Sequence, residues 1–390
     1  MTRARIWRGA ALAVIFGALL APWAQAQTGD RATDKVLAEA KALRAQHQNA
    51  KAEQVLNQYV AEHGDDANVL SMLAQMRVDA VDTPGALALL TRALTASPNS
   101  PAANLEAGRL LLGEHRDPEA MDRFETVLAV DLRNTDARNG EMAAVTELAV
   151  SARREGHPEA ALAALEHARI KLPDEPQLLL DFGIQAEELG QIPQALEALQ
   201  AARKLDPKNA DVLYALARVD TDRQHVQDAE AELREYVAIR PNDATAHFGL
   251  GHVLSMQQKN DEARKEFQRS IELQPVQTES YYELGQMELE VQNDAAAEPL
   301  FARVLARDPK HGGALTGMGE IEFRKKDYAQ AEQYLARAEA AAPEYQPAHY
   351  YRGLALARMG RKDESQTELA TAAELDRKQQ GPPGAVDAQH

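Results

Sequence analysis

The sequence contains no cysteine, which excludes disulfide bonds, a cysteine nucleophile and a lipid-modified cysteine. Aromatic residues are also scarce, at 5% of the chain, and alanine is abundant, a combination typical of helices that pack closely. Basic residues are outnumbered, with 43 Lys and Arg against 60 Asp and Glu, for a formal net charge of −17. Because nucleic acids and anionic lipids repel such a chain, neither is expected as a partner.

Long hydrophobic runs are missing after the N-terminal region, where one apolar run extends from about Ala10 to Leu20. This run is preceded by Arg3, Arg5 and Arg8 and followed by Ala24, Gln25 and Ala26. The layout predicts a signal peptide at 1–26 with cleavage after Ala26. The run is shorter than the roughly 20 residues that span a bilayer. We therefore expect an exported, soluble, periplasmic protein without membrane insertion after cleavage.

Prolines recur at a fixed interval over the second half of the chain. Six of them follow one another at spacings of 34 residues: Pro173, Pro207, Pro241, Pro275, Pro309 and Pro343. A constant period of this length indicates stacked structural repeats. A second set lies where the second helix of a repeat would begin: Pro84, Pro118, Pro158 and Pro193. Pro299 lies further into such a helix and is expected to kink or delay it.

Other residues fall into columns at the same period. The repeat that begins at Thr278 contains Tyr281, Leu284, Gly285, Ala297, Phe301 and Pro309. This pattern resembles the tetratricopeptide repeat, whose 34-residue signature combines an aromatic-x2-Leu-Gly opening, Ala-x3-Phe and a closing Pro. The resemblance implies an all-α fold, an α-solenoid of stacked antiparallel helix pairs wound into a right-handed superhelix. In this chain, many of the family's aromatic positions hold Leu, Val or His instead.

The resemblance covers residues 33–379 and divides them into repeats. We predict an N-terminal block at 27–134 with repeats 33–66, 67–100 and 101–134. The C-terminal block at 135–379 would contain 135–175, 176–209, 210–243, 244–277, 278–311, 312–345 and 346–379. The first of these is seven residues longer than the others, and its extra segment 135–141 could extend the first helix or form a loop. A disordered tail is expected at 380–390.

Small residues should occupy the contact between the two helices of a repeat, because larger side chains would push the helices apart. The predicted structural positions are Gly183, Ala195, Gly251, Ala263, Gly285, Ala297, Gly319, Ala331 and Gly353.

No motif for catalysis is present. The histidines form no spacing typical of a metal site, and neighbouring carboxylates such as Glu187 and Glu188 diverge around a helix. The sequence also has no glycine-rich phosphate loop and no nucleophile elbow. We therefore predict a protein that is not an enzyme and has no metal and no cofactor.

The resemblance does imply a binding groove. In this family, the second, fifth, ninth and twelfth positions of each first helix point into the concave face. The candidate contacts are Tyr214, Arg218, Phe248, His252, Tyr282, Gln286, Glu320, Phe323 and Tyr350. Aromatic anchors flanked by polar groups suit an extended peptide or a partner helix. Alternatively, the aromatic residues pack between neighbouring helices.

The leading interpretation is a periplasmic scaffold that binds one or more proteins, similar to the helical-repeat components of envelope assembly, secretion or polysaccharide-export machines. The alternative is a subunit that contacts an exported glycan directly, in which Tyr214, Phe248, Tyr282 and Tyr350 stack on sugars.

Overall fold

The computed structural model describes residues 21–380, and the side chains of residues 31–378. Every regular element in this range is an α-helix, which confirms the predicted all-α solenoid of helix pairs. The helices form two compact units, Met1–Gln191 and Ile192–His390, which we name unit 1 and unit 2. The division lies within the predicted repeat 176–209.

Unit 1 consists of hairpins in which α1 pairs with α2, α3 with α4, α5 with α6 and α7 with α8, while α9 packs on α8. Its described helices are α1 (Ala21–Ala45), α2 (Asn49–His63), α3 (Ala67–Asp79), α4 (Thr83–Ala96), α5 (Pro101–Gly113), α6 (Asp117–Leu128), α7 (Thr135–Arg154), α8 (Pro158–Lys171) and α9 (Pro176–Glu188).

Unit 2 begins with α10, which packs on the first of five hairpins. Its described helices are α10 (Ile192–Leu205), α11 (Ala210–Asp222), α12 (Val226–Ile239), α13 (Ala244–Met256), α14 (Asn260–Leu273), α15 (Glu279–Glu290), α16 (Asp294–Arg307), α17 (Gly312–Arg324), α18 (Tyr328–Ala341), α19 (Gln346–Arg358) and α20 (Lys362–Gln380).

Helix boundaries follow local side-chain chemistry. The carboxylate of Asp243 accepts hydrogen bonds from the backbone N–H groups of Thr245 and Ala246 and so caps α13. Second helices α4, α6 and α8 have proline within their first two positions, as predicted. There the missing N–H costs no helical hydrogen bond.

After the first helix of each repeat, one residue adopts left-handed backbone geometry. The residues are His47, Val81, His115, Gly156, Gly190, Gln224, Gln258, Gln292, Lys326 and Gly360, with φ between 58° and 81°. Glycine is suited to this geometry, whereas Val81, at φ 59°, is β-branched and strained there. The turn is therefore set by its place in the repeat more than by the residue that occupies it.

The small residues predicted to be structural are all buried. An added Cβ at Gly285 would lie 2.6 Å from Phe301 Cε1, and one at Gly251 would lie 2.7 Å from Phe267 Cδ1. Phe267 follows Ala263 by four residues, and Phe301 follows Ala297 by four residues. The glycine therefore makes room for a large side chain of the second helix, and Ala263 and Ala297 are fully buried in the same hairpins.

The long repeat in unit 1 absorbs its extra residues as helix. α7 runs without interruption from Thr135 to Arg154, so the segment 135–141 extends the first helix and does not form a loop. Gly140 lies in this extension, against the ring of Phe124 from α6. In unit 2, α16 begins at Asp294 and continues through Pro299, so this proline does not delay the helix.

The two ends of the chain lie partly outside the described residues. Of the predicted signal peptide at 1–26, residues 1–20 are not described, and α1 begins at Ala21. Of the predicted tail, Gln380 is the last residue of α20, and residues 381–390 are not described. Among the residues searched between 21 and 380, no helix is both long and apolar enough to cross a membrane.

Candidate partner-binding surface

Aromatic side chains occupy the fifth position of four first helices in unit 2. We name Tyr214, Phe248, Tyr282 and Tyr350 the aromatic row; they lie in α11, α13, α15 and α19. The first three are half-buried, whereas Tyr350 is 43% exposed. The corresponding position in α17 is Thr316, which is buried.

The inner edges of three of these rings pack against the second helix of the same hairpin. Ring centroids are 5.3 Å apart for Tyr214 and Tyr236, and 5.9 Å apart for Phe248 and Phe267. The ring of Tyr282 similarly lies 6.3 Å from that of Phe301. Three members of the aromatic row therefore contribute to the core through these contacts, and each of the three side chains is only half-buried.

The hydroxyl of Tyr282 is enclosed by neighbouring groups of unit 2. The side-chain amide of Gln286 donates a hydrogen bond of 2.7 Å to this oxygen. An added Cβ at Gly313 would lie 2.5 Å from it, and the ring of His311 lies 4.8 Å from the Tyr282 ring. Burial raises the pKa of Tyr282 above its usual range. The Tyr282 and Gln286 side chains are thus largely engaged with their own unit.

Phe248 and His252 lie one turn apart on α13. Their rings are stacked, with centroids 6.2 Å apart and planes at 20°, and both side chains are half-buried. The carboxyl of Glu283 in α15 lies near His252; burial raises the pKa of Glu283, and the nearby His252 opposes that shift. The result is an apolar ring face beside an imidazole and a carboxyl group.

Two other candidate contacts are engaged within unit 2. Glu320 is only 8% exposed and forms an ion pair with Arg324. The Tyr351 hydroxyl also bonds to Glu320, and burial together with this hydrogen bond raises the pKa of Tyr351 to about 12. The ring of Phe323 lies between those of Tyr328 and Tyr351, at 5.5 Å and 6.4 Å.

The remaining candidates lie at the surface. Arg218, in α11, is exposed. Tyr350 lies in an edge-to-face arrangement with Tyr351, at a centroid distance of 5.3 Å. The candidates are therefore unequal: Phe248, His252, Arg218 and Tyr350 present surface to solvent, whereas Glu320 does not.

A histidine–glutamate pair that recurs in two repeats was missed by the sequence analysis. His247 Nδ1 lies 2.6 Å from Glu266 Oε2, and its Nε2 lies 3.1 Å from the Pro241 carbonyl oxygen. The same contacts recur between His349 and Glu368, at 2.7 Å, and between His349 and Pro343, at 2.9 Å. A comparison of the fourth position with the position 19 residues later would have revealed both pairs.

Two sequence models of the tetratricopeptide repeat family match the chain. One matches residues 78–145, 186–247 and 292–344, and the other matches residues 37–101 and 248–311. A search of curated proteins found no significant match.

Solved structures with a similar fold include a tetratricopeptide repeat protein from Parabacteroides merdae. It is 17% identical, with a TM-score of 0.50, over 62% of this chain and 95% of that protein. MamA from Desulfovibrio magneticus is 22% identical over 44% of this chain and 97% of its own, with a TM-score of 0.41. YrrB, described as having an unusual peptide-binding site, is 21% identical over 47% and 95%, with a TM-score of 0.41.

Proposed function

The chain belongs to the tetratricopeptide repeat family, and we propose that it is a non-catalytic scaffold that binds a protein partner through the first helices of unit 2. The observation that carries this proposal is the aromatic row, which places half-buried Tyr214, Phe248 and Tyr282 and the exposed Tyr350 at the fifth position of four first helices. Buried aromatic anchors supply much of the affinity of protein interfaces. A peptide or helix that follows the repeats would meet one anchor after another.

The centre of the proposed contact is the Phe248–His252 pair. Because Phe267 supports the inner edge of the Phe248 ring, the ring is already ordered before binding. An ordered side chain loses little conformational entropy when a partner covers it. Phe248 therefore satisfies both interpretations of the aromatic row, since one edge packs in the core and the other can contact a partner.

Charge near this centre favours a basic partner segment. Glu283 and the exposed Glu290 both lie in α15 and influence each other electrostatically. A Lys or Arg of the partner would relieve this repulsion and also contact the exposed part of the Phe248 ring. The proposed ligand is thus an apolar segment with at least one basic side chain.

The proposed location is the periplasm, and the proposed role is in an envelope assembly, secretion or polysaccharide-export machine. Support for the location comes from the sequence of residues 1–26, with three arginines, an apolar run and small residues before the proposed cleavage point. The acidic charge of the chain is consistent with a protein that does not adhere to nucleic acid or anionic lipid.

In-cell photo-crosslinking tests this proposal. A photoreactive amino acid at position 248 should give a discrete protein adduct, and one at position 350 should give the same adduct. The control position is Gln333, an exposed residue of the second helix α18, where that adduct should be absent. A glycan adduct at 248 in place of a protein would favour the carbohydrate-contacting alternative, and an identical adduct at 333 would contradict the proposed surface.

A further inference from the structure

Three side chains near the C-terminal end of unit 2 converge on one point from three helices. They are Glu339 in α18, His349 in α19 and Glu368 in α20, which we name the Glu–His–Glu cluster. One ligand atom of each lies within 4.8 Å of the other two. The three side chains are 11%, 11% and 17% exposed, respectively, so the point between them is largely enclosed.

A single hydrogen on His349 cannot satisfy both carboxylates. The Nε2–H group donates to the carbonyl oxygen of Pro343, which leaves Nδ1 for Glu368 at 2.7 Å and Glu339 at 3.5 Å. Nδ1 carries at most one hydrogen. The Glu339 Oε1 atom is enclosed and accepts no hydrogen bond from the described residues. A buried oxygen without a partner costs free energy, and in the described part of the chain Glu339 Oε1 lacks a partner that its carboxylate could bind.

The other histidine–glutamate pair provides an internal comparison. At His247, the position equivalent to Glu339 is Val237, and the position equivalent to Arg352 is Leu250. One carboxylate, from Glu266, then faces Nδ1, and one hydrogen is enough. The second carboxylate is thus a feature of the last repeat and not of the repeat pattern.

The outer oxygens of the two carboxylates are held by Arg352. Its Nη1 lies 2.5 Å from Glu339 Oε2 and 3.0 Å from Glu368 Oε1. Each carboxylate therefore directs one oxygen to Arg352 and the other toward Nδ1. In metal sites, a ligating histidine donates its other N–H to a carbonyl or carboxylate, and ligating carboxylates are themselves hydrogen-bonded. The Pro343 carbonyl and Arg352 meet both of these conditions.

We propose that the Glu–His–Glu cluster binds one divalent transition-metal ion, with Zn²⁺ the favoured ion. One imidazole nitrogen and two carboxylate oxygens are ligands that Zn²⁺ accepts, and water completes a tetrahedral site. The ion is coordinated by the lone pair of His349 Nδ1 and by Glu339 Oε1. The Nε2–H group of His349 keeps its hydrogen bond to the carbonyl oxygen of Pro343. Because the ligands come from α18, α19 and α20, the ion joins the last hairpin to the repeat before it.

Zinc retention by the purified full chain tests this site. After EDTA treatment, incubation with Zn²⁺ and removal of free metal, the wild-type chain should retain one zinc per molecule by elemental analysis. Zinc should also raise the thermal midpoint, because binding to the folded state stabilises it. Glu339→Gln keeps the size of the side chain and should weaken zinc affinity at least about tenfold. The matched variant Glu266→Gln, at the His247 pair, should retain zinc like the wild type.

Two results would overturn the site. The wild-type chain could retain no zinc and show no thermal shift, or Glu339→Gln could retain as much zinc as Glu266→Gln. The second result would assign any binding to other histidines of the chain. Helical circular dichroism of each variant establishes that the comparison is made between folded proteins.

Discussion

Phe248 stacks on His252 one turn later in α13, with ring centroids 6.2 Å apart, while its inner edge meets Phe267. This arrangement explains how a repeat position can serve both the fold and a binding surface. The second helix fixes the ring, and the first helix leaves its outer edge and the adjacent imidazole accessible. The two roles that the sequence left as alternatives are compatible at this residue.

Gly285→Ala should destabilise the protein by about 1–3 kcal/mol. Its new Cβ would lie 2.6 Å from Phe301 Cε1, and Phe301 is 0% exposed and has little room to move. Chemical denaturation followed by circular dichroism measures the change. The matched control is Gly113→Ala at the end of α5, where no heavy atom lies within 4 Å of the added Cβ. That variant should gain about 0.5–1 kcal/mol, and equal losses at both positions would contradict the glycine–phenylalanine contact.

Much of this architecture follows from the sequence, because the glycine, alanine and proline columns are local consequences of close helix packing. The extension of α7 was not decidable, since Asn139 and Gly140 suit a turn and only the contact of Gly140 with Phe124 favours helix. The engagement of Glu320 by Arg324 and Tyr351 was missed because those partners depend on side-chain orientation. The Glu–His–Glu cluster combines residues of three helices, so no single-repeat pattern contains it.

Val81→Gly should stabilise the protein by about 1 kcal/mol. Val81 has a φ of 59° and is 89% exposed, so the substitution relieves backbone strain without removing packing. Thermal unfolding of the two proteins measures the difference. The control is Val291→Gly, because Val291 is 63% exposed but has an ordinary φ of −86°. If both variants lose stability to the same extent, left-handed strain at Val81 is not significant.

Glu141 should make unit 1 less stable as the pH rises. Glu141 is 0% exposed, and neither of its carboxylate oxygens has a partner among the described residues. Burial is the main cause that raises the pKa of Glu141 from 4.5 to about 8, and the negative charge of nearby Glu125 adds to the shift. Lys171, which opposes the shift, is paired with Glu125. Between these pKa values the folded state binds more protons than the unfolded state, so stability falls with increasing pH.

Glu141→Gln should remove this part of the pH dependence. The free energy of unfolding of Glu141→Gln should exceed that of the wild type only slightly at about pH 5. This difference should grow toward about pH 8, by at most about 1.4 kcal/mol per pH unit. Thermal midpoints across this range measure it, with Glu159→Gln at an exposed position of α8 as the control. Parallel curves for the wild type and Glu141→Gln would show that Glu141 does not titrate in this way.

Leu213→His should be better tolerated than Leu315→His. Both leucines are 1% exposed, and each lies at the position in its own repeat that His247 has in the repeat 244–277. Opposite Leu213, Glu232 has an oxygen without a partner among the described residues, and burial raises its pKa to about 8. The new imidazole can pair with Glu232, whereas Tyr334 replaces the glutamate opposite Leu315.

The difference between these two histidine variants should be about 1–3 kcal/mol in free energy of unfolding, the usual cost of an unsatisfied buried polar group. Chemical denaturation measures both variants under the same conditions. Equal destabilisation would mean that the histidine–glutamate pair does not transfer between repeats.

The central claim is that the aromatic row binds a protein partner, and the most direct test is the affinity of Phe248→Ala for the partner captured by crosslinking. We predict a loss of about 2 kcal/mol, or roughly thirtyfold in Kd, as expected for an aromatic anchor. Gln333→Ala, on the outer helix α18, should bind like the wild type, and circular dichroism should show both variants folded. Unchanged affinity of folded Phe248→Ala would contradict the claim.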